Sequence, residues 1–186
     1  MLEKQLKLVL LSLTPDNRRV CQVMLHTGLR VGDVLALRKD QLARQFTVTE
    51  QKTGKRRRVG LPDWLRAEII QAAGPSEWAF PSPRDPAQHR TRQAVWKDIK
   101  RAQRAFRLPL NLGPHSMRKY YAVDLMDKYG DLERVQRALA HENAATTALY
   151  ALADRITETN LHHRSTRAAK AREKRAVDKA GGVVVN

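Results

Sequence analysis

Leu2, Leu6, Val9, Leu10 and Leu13 recur at the spacing of one helix face, with Glu3, Lys4 and Lys7 among them on the polar side. Thr14-Pro15-Asp16 interrupts that run and predicts a second helix, with Thr14 as its N-cap and Pro15 at the first position. Val20, Cys21, Val23 and Met24 supply the apolar face of this helix, and Gly28 is placed to end it in the left-handed conformation. A third helix is predicted from about Gly32 to Arg38, carried by Val34, Leu35 and Leu37. From Asp40 the period changes. Phe46, Val48 and Glu50 alternate with polar residues, Thr53-Gly54 supplies a turn, and Arg56 to Val59 resume an extended stretch, which together predict a β-hairpin.

Helical spacing returns after Pro62-Asp63 with Trp64, Leu65, Ile69 and Ile70, and runs to about Ala73. The stretch 74–89 holds four of the eight prolines and reads as loop, with Trp78-Ala79-Phe80 as a short strand. Thr91 then caps a helix whose Val95, Trp96, Ile99, Ala102 and Phe106 are expected to point inward, while Arg92, Lys97, Lys100, Arg101, Arg104 and Arg107 make its surface basic. Pro114 opens the next helix, which Gly130 ends, and Asp131 caps one through Leu132, Val135 and Leu139. A helix carrying Tyr150 follows, then a basic, alanine-rich segment from Arg164 to Lys179 and an apolar end around Val183. The expected fold class is mainly α with a small antiparallel β-sheet (α+β). One domain is expected over 1–160, with 161–186 a basic tail that either docks on a partner or is disordered.

Charge narrows the choice of partner. Thirty-five Lys+Arg against nineteen Asp+Glu give +16 over 186 residues and a pI near 10.6. An excess of that size predicts a polyanion, most often nucleic acid, because each neutralised phosphate releases counterions. A basic ribosomal or membrane-surface protein shares the charge. Aromatic content of 5% argues against a stacking platform for single strands. The single cysteine, Cys21, sits in an apolar run, so neither a disulfide nor a cysteine zinc site is available. No apolar run reaches the 18 or so residues of a membrane span, and the N-terminus lacks the pattern of a signal peptide. The expectation is a cytoplasmic, nucleoid-associated protein.

Four short stretches carry chemistry. Arg30 falls in a tight turn after Gly28, where a guanidinium is held near a helix N-terminus and suits a phosphate. Lys52 precedes a hairpin tip with Lys55, Arg56, Arg57 and Arg58, cations expected to grip a nucleic-acid backbone. A lysine there can deliver a proton where an arginine cannot. His115 and Arg118 lie one turn apart at a helix start, so both face the same way. His141 and Tyr150 follow, nine residues apart.

TGLRVGDVLALR (27–38), QKTGKRRRV (51–59), HSMRKYYAVDLM (115–126) and LAHENAATTALY (139–150) resemble the successive boxes of the tyrosine recombinase (phage-type integrase) catalytic domain. The resemblance implies that Tyr150 attacks the scissile DNA phosphate and forms a 3′-phosphotyrosyl bond. It implies that Arg30 and Arg118 hold the nonbridging oxygens, that His141 adds a hydrogen bond, that Lys52 protonates the leaving 5′-oxygen and that His115 is the base. Arg92, Lys97 and Lys119 join the hairpin cations as expected contacts to double-stranded DNA. No metal or other cofactor is expected, and the phosphotyrosyl ester keeps the energy of the broken bond, so rejoining needs no ATP.

The family implies a tetramer on paired sites, with the isolated domain a monomer off DNA, and no N-terminal DNA-clamping (core-binding) domain is recognised in the chain. Asp33 stands where the family commonly has Glu, and Ala140 where it usually has Gly. Three other readings share parts of the pattern: a type IB-like topoisomerase, a non-catalytic DNA-binding regulator of the same fold, and a basic ribosome-associated protein. The short small-residue link from Ala144 to Thr147 further predicts a mobile tyrosine helix in the absence of DNA.

Overall fold

The computed structural model describes residues 2–108 and 111–139. His141, Tyr150, the link before the tyrosine and the tail 161–186 lie outside the described residues. The chain order is α1 (Leu2–Ser12), α2 (Pro15–Thr27), α3 (Val31–Leu35), a 3-10 turn (Lys39–Gln41), β1 (Gln45–Thr49), β2 (Arg56–Gly60), α4 (Asp63–Ala73), α5 (Arg92–Ala105), α6 (Pro114–Tyr129) and α7 (Leu132–Leu139). The two strands pair antiparallel, with Phe46 opposite Val59 and Val48 opposite Arg57. This is the expected mainly α fold with one small antiparallel sheet.

Helix α2 is the hub: α1, α3, α4, α5, α6 and β2 all pack against it. Its Val20, Cys21, Val23 and Met24 are buried, as their spacing requires. Burial pushes the Cys21 thiol up to about 12, so it remains a neutral core side chain. Gly28 ends α2 with φ 65° and donates its N–H to Met24 O at 2.8 Å. A Cβ at this position would lie 2.3 Å from Cδ1 of Tyr121 and 3.2 Å from Cδ2 of Leu139. The glycine therefore serves both the left-handed turn and the close seating of α6 and α7 on it.

Four local expectations are corrected. Helix α3 ends at Leu35, short of Arg38. Thr14 does not cap α2 with its side chain. Its hydroxyl and N–H instead both donate to Asp98 Oδ2 at 2.9 Å, joined by Asn17 Nδ2 at 2.8 Å, so that α5 is pinned to the α1–α2 corner. Trp96 and Phe106 are 47% and 43% exposed and do not point inward. The inner face of α5 is Val95, Asp98, Ile99 and Ala102, and a residue one step from Val95 is turned about 100° away from it. The Trp78–Phe80 stretch makes only the isolated bridge of Trp78 with Arg38, and the next bridge, Pro81 with His89, falls on a proline that has no N–H to extend a ladder.

Two substitutions test this frame. Burial alone would raise the Asp98 pKa, but hydrogen bonds from Asn17, Thr14 and Arg101 hold it below the ordinary 3.8. Asp98→Ala leaves those donors unpaired and is expected to cost about 3 kcal/mol in urea unfolding at neutral pH. Because the folded-state pKa is depressed, the wild-type advantage should be full well above 3.8 and shrink as pH falls through the folded value. Gly28→Ala, which adds a Cβ in the left-handed region against the Tyr121 ring, is expected to lower stability by about 2 kcal/mol or more, read from the same melts.

Candidate active site

Arg30, Lys52, His115 and Arg118 meet in one cleft of ≈ 740 Å³. They arrive from three places: Arg30 from the α2–α3 turn, Lys52 from the β1–β2 turn, and His115 and Arg118 from the first turns of α6. Gly32, Asp33, Gln51, Arg92, Gln93 and Trp96 complete much of the wall. Arg92 and Gln93 begin α5, and Pro114 and His115 begin α6, so the partial positive charge of two helix N-termini adds to the arginines. The N-terminus of α6 is closed by its own residues, with Gly113 N–H donating to Ser116 Oγ at 3.1 Å.

The organising group behind the wall is Glu50, whose side chain has no exposed surface. It continues the inward alternation of Phe46 and Val48 one step past β1. Its Oε2 accepts from Arg30 Nη1 and from Thr53 Oγ1 at 2.9 Å. Its Oε1 accepts from Arg57 Nη1 at 3.1 Å and lies 3.8 Å from Arg118 Nη1. Burial would raise the Glu50 pKa, but the hydrogen bonds from Thr53, Arg57 and Arg30, with the Arg30 charge, hold it below the usual carboxylate range.

Arg118 is 1% exposed and is the largest fully buried side chain among the described residues. It donates Nη1 to Gly28 O and Nη2 to Leu139 O, so it ties the α2–α3 turn to the end of α7. Arg30, at 26% exposure, is more open than Arg118. Asp33 is buried, and its Oδ1 accepts from the Gln51 N–H at 2.9 Å. Aspartate thus reaches the hairpin turn beside Lys52 without the extra methylene of glutamate. His115 has its pKa lowered below 6.5 first by desolvation, then by the charges of Arg118, Lys119 and Arg30, although the residue keeps an exposed surface. It is the neutral imidazole that this site favours.

The other expected DNA contacts divide. Arg92 lines the cleft, and Lys97 lies on the exposed face of α5 beside Trp96 and Lys100. Lys55, Arg56, Arg58 and Lys119 are exposed. Arg57 does not belong with them: it is 8% exposed, and its two terminal nitrogens are engaged by Glu50 and by Thr27 O at 2.9 Å. The alternation of β2 turns Arg57 inward with Val59 and leaves Arg56 and Arg58 outside. Glu50 is the residue that the motif reading missed, and its signal was the same alternation, since an inward carboxylate requires buried cations.

None of the described tyrosines lines this cleft. Tyr121 packs on Gly28, and burial is the largest cause of its raised pKa. Tyr120 packs against the core, and Tyr129 is exposed with the Arg134 guanidinium 3.6 Å from its ring centre. No group of three or more potential metal ligands occurs among the described residues.

Comparison with known proteins adds to this geometry. The sequence model of the phage integrase family matches residues 3–155. The tyrosine recombinase XerD of Pseudomonas aeruginosa is 30% identical over 160 residues, covering 80% of this chain and 53% of XerD. The chain therefore spans about half the length of the curated relatives it matches. Among solved structures, XerA recombinase shares the fold with a TM-score of 0.68 at 20% identity, over 87% of this chain and 62% of that one. XerH site-specific recombinase bound to its difH substrate in a pre-cleavage complex does so with a TM-score of 0.63 at 22% identity, over 79% of this chain and 48% of that one. With a family match that runs from α1 to beyond Tyr150, and a cleft that gathers the expected arginines, lysine and histidine, the chain belongs to the phage integrase family.

Proposed function

We propose that this chain is the catalytic domain of a site-specific DNA recombinase that cleaves and rejoins strands through Tyr150. The observation that carries the reading is the convergence of Arg30, Lys52, His115 and Arg118 from three separate segments on one positive cleft. Arg30 and Arg118 hold the nonbridging oxygens of the scissile phosphate, where charge grows as the phosphorus becomes five-coordinate. A preorganised donor at such a position is typically worth about 10²–10³ in rate. The Tyr150 phenol, with an ordinary pKa near 10, transfers its proton to neutral His115 as its oxygen bonds to phosphorus. The P–O5′ bond breaks as Lys52 protonates the leaving oxygen. Attack by a 5′-hydroxyl reverses the steps, so no metal and no nucleotide is consumed.

His141 supplies a further donor. It stands two residues beyond Leu139, whose carbonyl Arg118 holds, and two residues of chain reach at most about 7 Å. Lys55, Arg56, Arg58, Arg92, Lys97 and Lys119 contact the DNA backbone, and Arg57 works from inside. The partner is double-stranded DNA, the working assembly a tetramer on two sites, and the location the nucleoid. No helix of the described residues is long and apolar enough to cross a membrane.

A nicked duplex carrying a site selected from a random library should trap the protein covalently, and Tyr150→Phe should abolish the adduct while Tyr120→Phe leaves it. An adduct that survives Tyr150→Phe sinks the assignment. The second-order cleavage rate at subsaturating DNA reports ionisations of the free protein. Its acidic limb should have a midpoint below 6.5, because the His115 pKa is lowered and the neutral base persists to lower pH. Lys119→Gln, which removes one of the charges responsible, should move that midpoint upward. A midpoint at or above 6.5 in the unaltered protein would remove His115 from the role of base.

A further inference from the structure

We infer that Glu50 is the positioning residue of the phosphate cradle, holding Arg30 and Arg118 beside each other and setting the charge they present. The inference rests on the function proposed above and deepens it. The carboxylate spreads over the cluster through both oxygens: Oε2 binds Arg30 and the Thr53 hydroxyl, while Oε1 binds Arg57 and faces Arg118 at 3.8 Å. Three guanidiniums against one carboxylate leave a net charge of two positive in the cluster. A phosphodiester carries one negative charge and its five-coordinate transition state carries two, so the cluster matches the transition state better than the ground state.

The backbone of Glu50 also shapes the site. Its N–H donates to Lys55 O at 3.0 Å, and its carbonyl accepts from Gly54 N–H at 2.8 Å. These bonds close the turn that carries Lys52. Glu50 thus ties together the turn of the proposed acid, the guanidinium on the α2–α3 turn and the guanidinium on α6. Arg57 is the counter-cation that makes a fully buried carboxylate tolerable, and its second bond, to Thr27 O, anchors the pair to the end of α2. A carboxylate kept only for stability would need no approach to Arg30 and Arg118, which line the cleft from two different elements. Glu50 reaches both.

The test uses the full chain, orthovanadate as a five-coordinate phosphate mimic, and the guanidinium NMR signals of Arg30 and Arg118. In the vanadate-free protein the Arg30 terminal N–H groups should show restrained rotation. In Glu50→Gln that restraint should be lost, and vanadate affinity should fall by about tenfold or more. Glu50→Asp keeps the charge one methylene short and is expected to lose about threefold; it keeps the test readable if Glu50→Gln does not fold. Ile69→Val, which thins the core under α4 and lies outside the cleft lining, should leave both readouts unchanged. Restrained Arg30 signals and wild-type vanadate affinity in folded Glu50→Gln, or in Glu50→Asp where the glutamine variant does not fold, would overturn the inference. If the Glu50 variants behave as expected but no Tyr150-dependent DNA adduct forms, the cradle stands and the strand-transfer reading falls.

Discussion

Three arginines cannot share a small buried volume unless something negative lies between them. Two unit positive charges about 5 Å apart repel by roughly 3 kcal/mol at the effective dielectric of a protein site. Glu50 removes that obstacle for Arg30, Arg57 and Arg118 together. A buried ion pair is nevertheless weak evidence for stability, because apolar side chains of similar volume often hold a core as well or better. The cluster makes more sense as a way to keep guanidiniums dehydrated, oriented and close to a cleft. Arg118 shows the consequence: a nearly inaccessible cation that also donates to the backbone carbonyls of Gly28 and Leu139.

The same constraint explains why the apolar framework takes its shape. Helix α2 must end at Gly28 so that the next residues can turn Arg30 back toward the hairpin and α6 can close over the turn with Tyr121. The hairpin must run in the register that places Val48 opposite Arg57, which brings Arg57 and Glu50 to the inward face together. A one-residue slip of β2 would turn Arg57 out to solvent and Arg56 and Arg58 inward, leaving the inward Glu50 without its partner. Packing of α5 by Val95, Ile99 and Ala102, with Asp98 pinning the α1–α2 corner, sets Arg92 and Gln93 at the cleft mouth. The long-range basic charge can then draw a polyanion toward a mouth whose local field has the same sign.

Helical and strand periods, with proline, glycine and capping residues as punctuation, revealed α1, α2, the hairpin, α4 to α7 and the glycines at 28 and 130 that end α2 and α6, because each of these is dictated by local sequence. The family motifs in turn brought out Arg30, Lys52, His115 and Arg118, and the fold gathers those four. Reading broke down where a residue's role depends on a partner distant in sequence. Thr14 has the chemistry of an N-cap, yet Asp98, 84 residues away, takes its hydroxyl. Trp96 and Phe106 look like core residues by type, yet the inner face of α5 is already filled. Arg57 sits in a run of cations that invites one common reading, but strict alternation in β2 separates it from its neighbours. That last error was avoidable, since the pattern that turned Phe46 and Val48 inward also applied to Glu50 and Arg57.

Among the described residues, the cluster reaches furthest toward the expected nucleophile at Leu139. An exposed last turn of helix ordinarily leaves its carbonyls to water. Here the Leu139 carbonyl instead takes a bond from the most deeply buried arginine, whose Nη1 also holds Gly28 O. The chain toward His141 and Tyr150 therefore departs from a point that the buried arginine cluster itself secures. A guanidinium has five donors in one plane, so Arg118 can hold both carbonyls and face Glu50 while it lines the cleft. A lysine at that position would carry the same charge but lacks the planar fork needed to hold two backbone carbonyls at once. On this argument the demand for arginine at 118 is geometric before it is electrostatic, and charge alone would not satisfy it.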